Sequence, residues 1–116
     1  MNFRSILTGF GIFICAHLMT WFQLNGQFLK TDWFRNNYFI LSLFGIPISY
    51  AYMYGTKYCY EGYGGIIWPG RFTGFAAGMI VFTTLTALIL NEGVTLKTGV
   101  SLILATALVA VQVLWK

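Results

Sequence analysis

The stretch that decides the fold is "RFTGFAAGMIVFTTLTALIL", residues 71–90. Its twenty residues carry one charge, and that charge, Arg71, stands at the first position. About twenty apolar residues are what a helix needs to cross the roughly 30 Å hydrocarbon core of a bilayer. In hydrocarbon the backbone groups must pair within the segment itself, which makes the run a helix rather than a strand. Gly70, Gly74 and Gly78 recur every fourth residue and form one smooth stripe along it.

Outward from this run the chain repeats the same character. Downstream, "NEGVT" (91–95) separates it from "LKTGVSLILATALVAVQVLW" (96–115). Upstream lie "SILTGFGIFICAHLMTWFQL" (5–24) and "YFILSLFGIPISYAYMY" (38–54). Spans over about 5–24, 38–54, 70–90 and 96–115 leave the connections 25–37, 55–65 and 91–95, with the apolar approach 66–69 leading into the third. The predicted fold is a single all-α integral membrane domain of four transmembrane helices, with a tight hairpin between the third and fourth. Gly93 is expected to end the third helix and Thr95 to cap the fourth. Pro47, inside the second span, is expected to kink it.

Composition agrees. Of 116 residues 58% are hydrophobic and 9% charged, against about a quarter charged in a soluble domain. The net charge is +4, yet the basic residues stand singly near run ends, so no nucleic-acid footprint exists. They read as interfacial anchors. Arg4, Lys57, Arg71 and Lys116 fall on one side of a four-span chain and Lys30, Arg35 and Lys97 on the other. Four against three sets no clear orientation, so an antiparallel homodimer is geometrically open. Trp21, Trp33, Trp68, Trp115 and the tyrosines from Tyr50 to Tyr63 collect at run ends, as interfacial belts do. Cys15 and Cys59 have no metal-ligand spacing and no disulfide framework.

Candidate functional residues follow from what a bilayer makes costly. His17 is the one ionisable side chain deep in a span, with two readings: a structural hydrogen bond, or a substrate or proton role. Ser42, Gly45, Ser49, Tyr52 and Thr56 share one side of the second helix, fit either for a cavity wall or for packing. Arg71 either snorkels to the headgroups or faces an anionic ligand beside Trp68 and Gly74. Gly70, Gly74 and Gly78, with Ser101 and Ala105 on the fourth span, are candidate packing positions, because small residues let helices approach closely. The glycine stripe serves either a contact within the chain or a seam between protomers. Asp32, Glu61 and Glu92 all lie in connections, and no HExxH, nucleophile elbow, phosphate loop or dinucleotide fingerprint occurs. Catalysis, cofactors and metals are not expected.

Two stretches resemble the small multidrug resistance proteins of the drug/metabolite transporter superfamily. "GGIIWPGRFTG" (64–74) is similar to that family's aliphatic-Trp-x-Gly approach to its third helix. "LNEGVTLKTGVSLILATALVAVQVLW" (90–115) is similar to its polar turn and small-residue-rich fourth helix, which pairs the dimer. The first half matches in length and hydropathy. The resemblance implies a dimeric transporter with a cavity between protomers. The family's drug exporters carry a glutamate in the middle of helix one, where this chain has "GFGIFICAHLM", and that role is not transferred to His17. The expectation is a small transporter-like protein of neutral or anionic substrate, in a bacterial inner membrane. The alternative is a structural or accessory subunit of a larger cellular or viral membrane complex.

Overall fold

A computed structural model describes residues 1–115; Lys116, counted above toward orientation, lies outside the described residues. Helix α1 spans Phe3–Asn25 and ends in a 3₁₀ turn, Gly26–Phe28. Two short helices follow, α2 (Trp33–Asn36) and α3 (Tyr38–Leu43), then three long ones, α4 (Gly45–Gly62), α5 (Trp68–Ile89) and α6 (Leu96–Leu114). No strand occurs among the described residues. Four stretches, Phe3–Phe28, Tyr38–Gly62, Trp68–Ile89 and Leu96–Leu114, are long and apolar enough to cross a membrane. That is the pattern of an integral multi-pass membrane protein.

Helix ends are set locally. The Asn2 side chain accepts from the Ser5 amide at 3.3 Å, and the Thr95 hydroxyl accepts from the Thr98 amide at 3.2 Å, each satisfying a first-turn donor that the helix leaves free. Past the end of α5 the left-handed residue is Asn91, φ 56°, and not Gly93. Asparagine tolerates that conformation, and the next amide, of Glu92, donates back to the Thr86 carbonyl at 3.3 Å.

The second span differs from expectation in its length. It does not end at Tyr54 but continues as α4 through Gly62. The helix is interrupted at one residue, Phe44, between α3 and α4, where the backbone stays right-handed (φ −67°, ψ −13°). Proline lacks an amide and its ring crowds the carbonyl four residues back, here Leu43, where α3 stops. Pro47 itself sits in the first turn of α4, where no amide donor is required.

The interior lies between α1, α4 and α5, around Phe13, Cys59 and Ala77. Helices α1 and α4 meet in reverse order. A Cβ on Gly62 would strike Ile6, one on Gly9 would strike Cys59, one on Gly55 would strike Phe13, and Gln23 donates to the Leu41 carbonyl. The buried positions of this seam are Ile6, Gly9, Phe13 and Ala16 on α1, whose fifth buried residue, Trp21, meets Thr86 of α5, against Leu41, Ile48, Gly55, Cys59 and Gly62 on α3 and α4. Both sets keep a seven-residue repeat, the period of a helix–helix seam. The Asn2 amide closes its end by donating to the Gly62 carbonyl at 2.7 Å. Such close packing gains dispersion contacts along the whole seam.

Helix α5 lies on the same interior through Gly70, Thr73, Ala77, Val81 and Thr86. The glycine stripe is occupied from within the chain. Gly70 faces Cys59 of α4, while Gly74 and Gly78 face Phe13 and His17 of α1. Helix α6 has no buried residue and packs at length against α5 alone. The backbone forms a flat body, 47 × 36 × 17 Å.

Candidate functional site

The polar side chains of the interior meet where α1, α4 and α5 cross. His17 and Thr20 share a face of α1, three residues apart, and Tyr52 reaches them from α4. His17 Nε2 lies 3.1 Å from the Gly74 carbonyl oxygen. A carbonyl only accepts, so Nε2 carries the hydrogen and donates to it. In the neutral ring Nδ1 is then an acceptor, and the Tyr52 hydroxyl donates to it across 3.2 Å. Tyr52 also stands edge-on to the imidazole, with centroids 5.4 Å apart. The Thr20 hydroxyl donates to the Ala16 carbonyl at 2.8 Å and lies 3.3 Å from the Tyr52 oxygen.

This arrangement accepts a second protonation state without a broken partner. With a proton added at Nδ1, that nitrogen donates to the Tyr52 oxygen. The Tyr52 hydroxyl then donates to Thr20, whose own hydrogen stays on Ala16. One rotation of the phenolic hydrogen accommodates the change, and the network ends at the Ala16 carbonyl. The chemistry available is therefore hydrogen bonding and the holding of one added proton at a ring nitrogen.

Beside this network a cleft of about 570 Å³ opens between the three helices, lined by Phe13, His17, Tyr52, Thr56, Arg71 and Gly74 among others. No acidic side chain lines it. Arg71 stands in the first turns of α5 and is exposed. The ion pair found among the described residues is elsewhere, between Asp32 and Arg35. A guanidinium beside aromatic rings and without a carboxylate presents a planar set of donors to an incoming acceptor. A second cavity of about 430 Å³, mostly apolar but also lined by Thr83, Thr84 and Thr106, lies between α5 and α6. Phe75 lines both.

Of the residues singled out from sequence, His17, Tyr52, Arg71 and Gly74 come together in the cleft, with Gly70 and Thr56. Ser42 and Ser49 do not join them. Both are exposed, and the Ser42 hydroxyl donates to the Tyr38 carbonyl of its own helix. The inward face of the second span runs through Leu41, Ile48 and Gly55, one residue and so about 100° of helix away from the series Ser42, Ser49, Thr56. Trp68 is 66% exposed and lies outside the cleft lining. Gly78 packs on the His17 ring. Ala105 faces α5, and the exposed Ser101 donates to the Lys97 carbonyl.

Several participants had no distinct signal in the sequence. Trp21, expected in an interfacial belt, is 2% exposed and donates its indole N–H to the Thr86 hydroxyl at 3.1 Å. Tyr63, also placed in a belt, is hydrogen-bonded to Thr73 at 2.8 Å. Cys59, expected in a connection, is fully buried in α4, whereas Cys15 is exposed, and both are free thiols. Thr20 was legible only as a hydroxyl three residues beyond His17, and Phe75 as one apolar residue among many.

Compared with protein-family models, with curated proteins and with solved structures, the chain matches none. The likeness to the small multidrug resistance proteins therefore rests on residues 64–74 and 90–115 alone.

Proposed function

We propose that the chain inserts into a lipid bilayer, α5 and α6 forming a tight hairpin, and acts as a small transporter-like protein of the drug/metabolite transporter type. The observation that carries this reading is the cleft between α1, α4 and α5. Within a chain otherwise dressed in carbon, it gathers an arginine with no ion-pair partner among the described residues and the hydrogen-bonded His17–Tyr52 pair. Intramembrane polar groups are costly and mark substrate or ion paths by default. With no acidic side chain in the lining, the substrate is neutral or anionic, and no cofactor or catalytic step is part of the mechanism. A homodimer, antiparallel pairing included, suits a body only 17 Å thick. The glycine stripe is already filled within one chain, so the partner would sit on another face. A bacterial inner membrane is the proposed location.

A second reading is a structural or accessory subunit of a larger cellular or viral membrane complex. It is favoured by α6, which has no buried residue and so offers its apolar surface to a partner chain as readily as to lipid.

Flux measurement in proteoliposomes separates the two. Purified protein is reconstituted and screened with small anionic and neutral solutes by solid-supported-membrane currents and isotope uptake. Saturable flux that Arg71→Gln and Tyr52→Phe reduce, with helix content unchanged, supports the transporter. No flux for any solute, with the chain purifying from its host in a stable hetero-complex, supports the accessory subunit.

A further inference from the structure

We infer that the cleft takes an anionic, single-chain amphiphile, its carboxylate or phosphate head on Arg71 and its chain carried past Phe75 into the groove between α5 and α6. The assignment rests on the cleft being the substrate site and names the class of molecule that fits it.

The placement of three side chains on α5 carries the argument. Arg71, Phe75 and Met79 follow one another at four-residue intervals, so they share one face of the helix, a turn apart. Of these two spaces Arg71 lines the cleft only, Phe75 both, and Met79 the groove only, while Phe75 and Met79 also border a third space against α1. Head site, passage and chain site thus succeed one another along the helix axis. Arg71 stands near the start of α5, three residues after Trp68, which is interfacial depth for a spanning helix. A molecule on this track has its head at the interface and its chain pointing toward the bilayer middle, as an amphiphile in lipid does.

Chemistry agrees at both ends. Asp32, Glu61 and Glu92 are the only acidic residues, and none lines either cavity. A cationic head would meet Arg71 uncompensated, whereas a carboxylate or phosphate is met by a guanidinium fork. Thr56 and the Tyr52 hydroxyl stand in the same cleft. The groove is walled by Met79, Ile80, Leu102 and Val109 among others, a slot between two neighbouring helices that suits one hydrocarbon chain. Phe75 is 41% exposed, so its ring is a wall shared by the two spaces and not part of the packed interior.

The test uses the full chain in phosphatidylcholine nanodiscs and equilibrium binding of radiolabelled oleate, oleyl alcohol and acetate. Oleate should bind more tightly than either the uncharged chain or the chainless anion. Arg71→Gln should weaken oleate about tenfold or more, the scale of losing a charge-assisted contact, and leave oleyl alcohol unchanged. Leu102→Trp, which fills the groove from the peripheral helix, should weaken oleate and oleyl alcohol together while the melting temperature holds. Equal binding of oleate and oleyl alcohol, or oleate binding indifferent to Arg71→Gln, overturns the assignment. Displacement of oleate by phosphatidylglycerol in the disc identifies a bilayer lipid as the natural occupant; absence of displacement identifies a diffusible amphiphile, and both keep the site. Oleate bound but not moved across proteoliposomes removes the transport reading and leaves the site. Flux of another solute with no oleate binding does the reverse.

Discussion

Replacing Gly9 by alanine should separate α1 from α4, and Gly11→Ala provides a control two residues away on the same helix. Alanine is better than glycine in a helix interior by about 0.8–1.0 kcal/mol, chiefly because the unfolded chain loses freedom. At Gly11 nothing lies within 4 Å of the added Cβ, so that gain is the whole effect. At Gly9 the same atom would sit 2.6 Å from the Cys59 sulfur, 2.9 Å from the Gly55 oxygen and 3.1 Å from the Cys59 nitrogen. The last two are backbone atoms and cannot rotate away, so the helices must part. Forcing a methyl into a packed interior costs about 1–3 kcal/mol. The propensity gain cancels between the two variants, leaving Gly9→Ala less stable than Gly11→Ala by that amount, roughly 5- to 150-fold in the unfolding equilibrium. The assay is reversible unfolding in mixed micelles by SDS titration, followed by circular dichroism and tryptophan fluorescence. Cys59→Ala removes the nearest clashing atom but not the Gly55 oxygen, so in a double-mutant cycle it should restore part of the loss. Equal midpoints for Gly9→Ala and Gly11→Ala would refute the seam.

Three further outcomes follow from the interior. Tyr52→Phe should lower stability by about 0.6–2 kcal/mol, the range of interhelical hydrogen bonds in lipid, because His17 Nδ1 loses its donor; an unchanged SDS midpoint would show that the pair is not formed. Thr86→Val should cost about 1 kcal/mol and change the emission of Trp21, since the indole N–H is left without an acceptor inside the bundle; an emission spectrum identical to the parent's would contradict that contact. In the Cys15→Ala variant a membrane-permeant maleimide should reach the buried Cys59 only after denaturation, a pattern read by intact mass. Rapid labelling of Cys59 without denaturant would mean that α4 does not lie against α1 and α5.

What could be read in advance was whatever depends on composition along the chain. Four apolar runs in 116 residues leave no other helical solution, and the cap at Thr95 and the interruption near Pro47 follow from local chemistry. Depth of burial was less legible. Lys57 and Glu61 lower the hydropathy of 55–65 and make it look like a connection. The helix persists there because Gly55, Cys59 and Gly62 face α1, with Lys57 and Glu61 exposed. Rotation about the helix axis was the hardest to read. On a helix whose outer face is also apolar, hydrophobicity does not distinguish inside from outside, so small and hydroxylated residues served as markers. For the second span they pointed one residue off the true seam. The glycine stripe was visible as a close-approach surface, but glycine carries no information about what approaches. Only the coordinates place Phe13 and His17 on it. In the same way His17, Tyr52 and Arg71 were identifiable one at a time, while their convergence depends on the register of α1 against α4.

The helix lengths have a mechanical corollary. At 1.5 Å per residue, the 23 residues of α1 extend about 34 Å and the 19 of α6 about 28 Å. In one bilayer these cannot both match the same hydrocarbon thickness while upright, so hydrophobic mismatch is taken up by tilt. Because α1, α4 and α5 are locked by glycine contacts and α6 leans on α5 alone, α6 is the element free to change inclination. If the chain is inserted as proposed, the width of the groove behind Phe75 would depend on bilayer thickness. A thicker or thinner membrane would reshape that slot without disturbing the His17–Tyr52 pair.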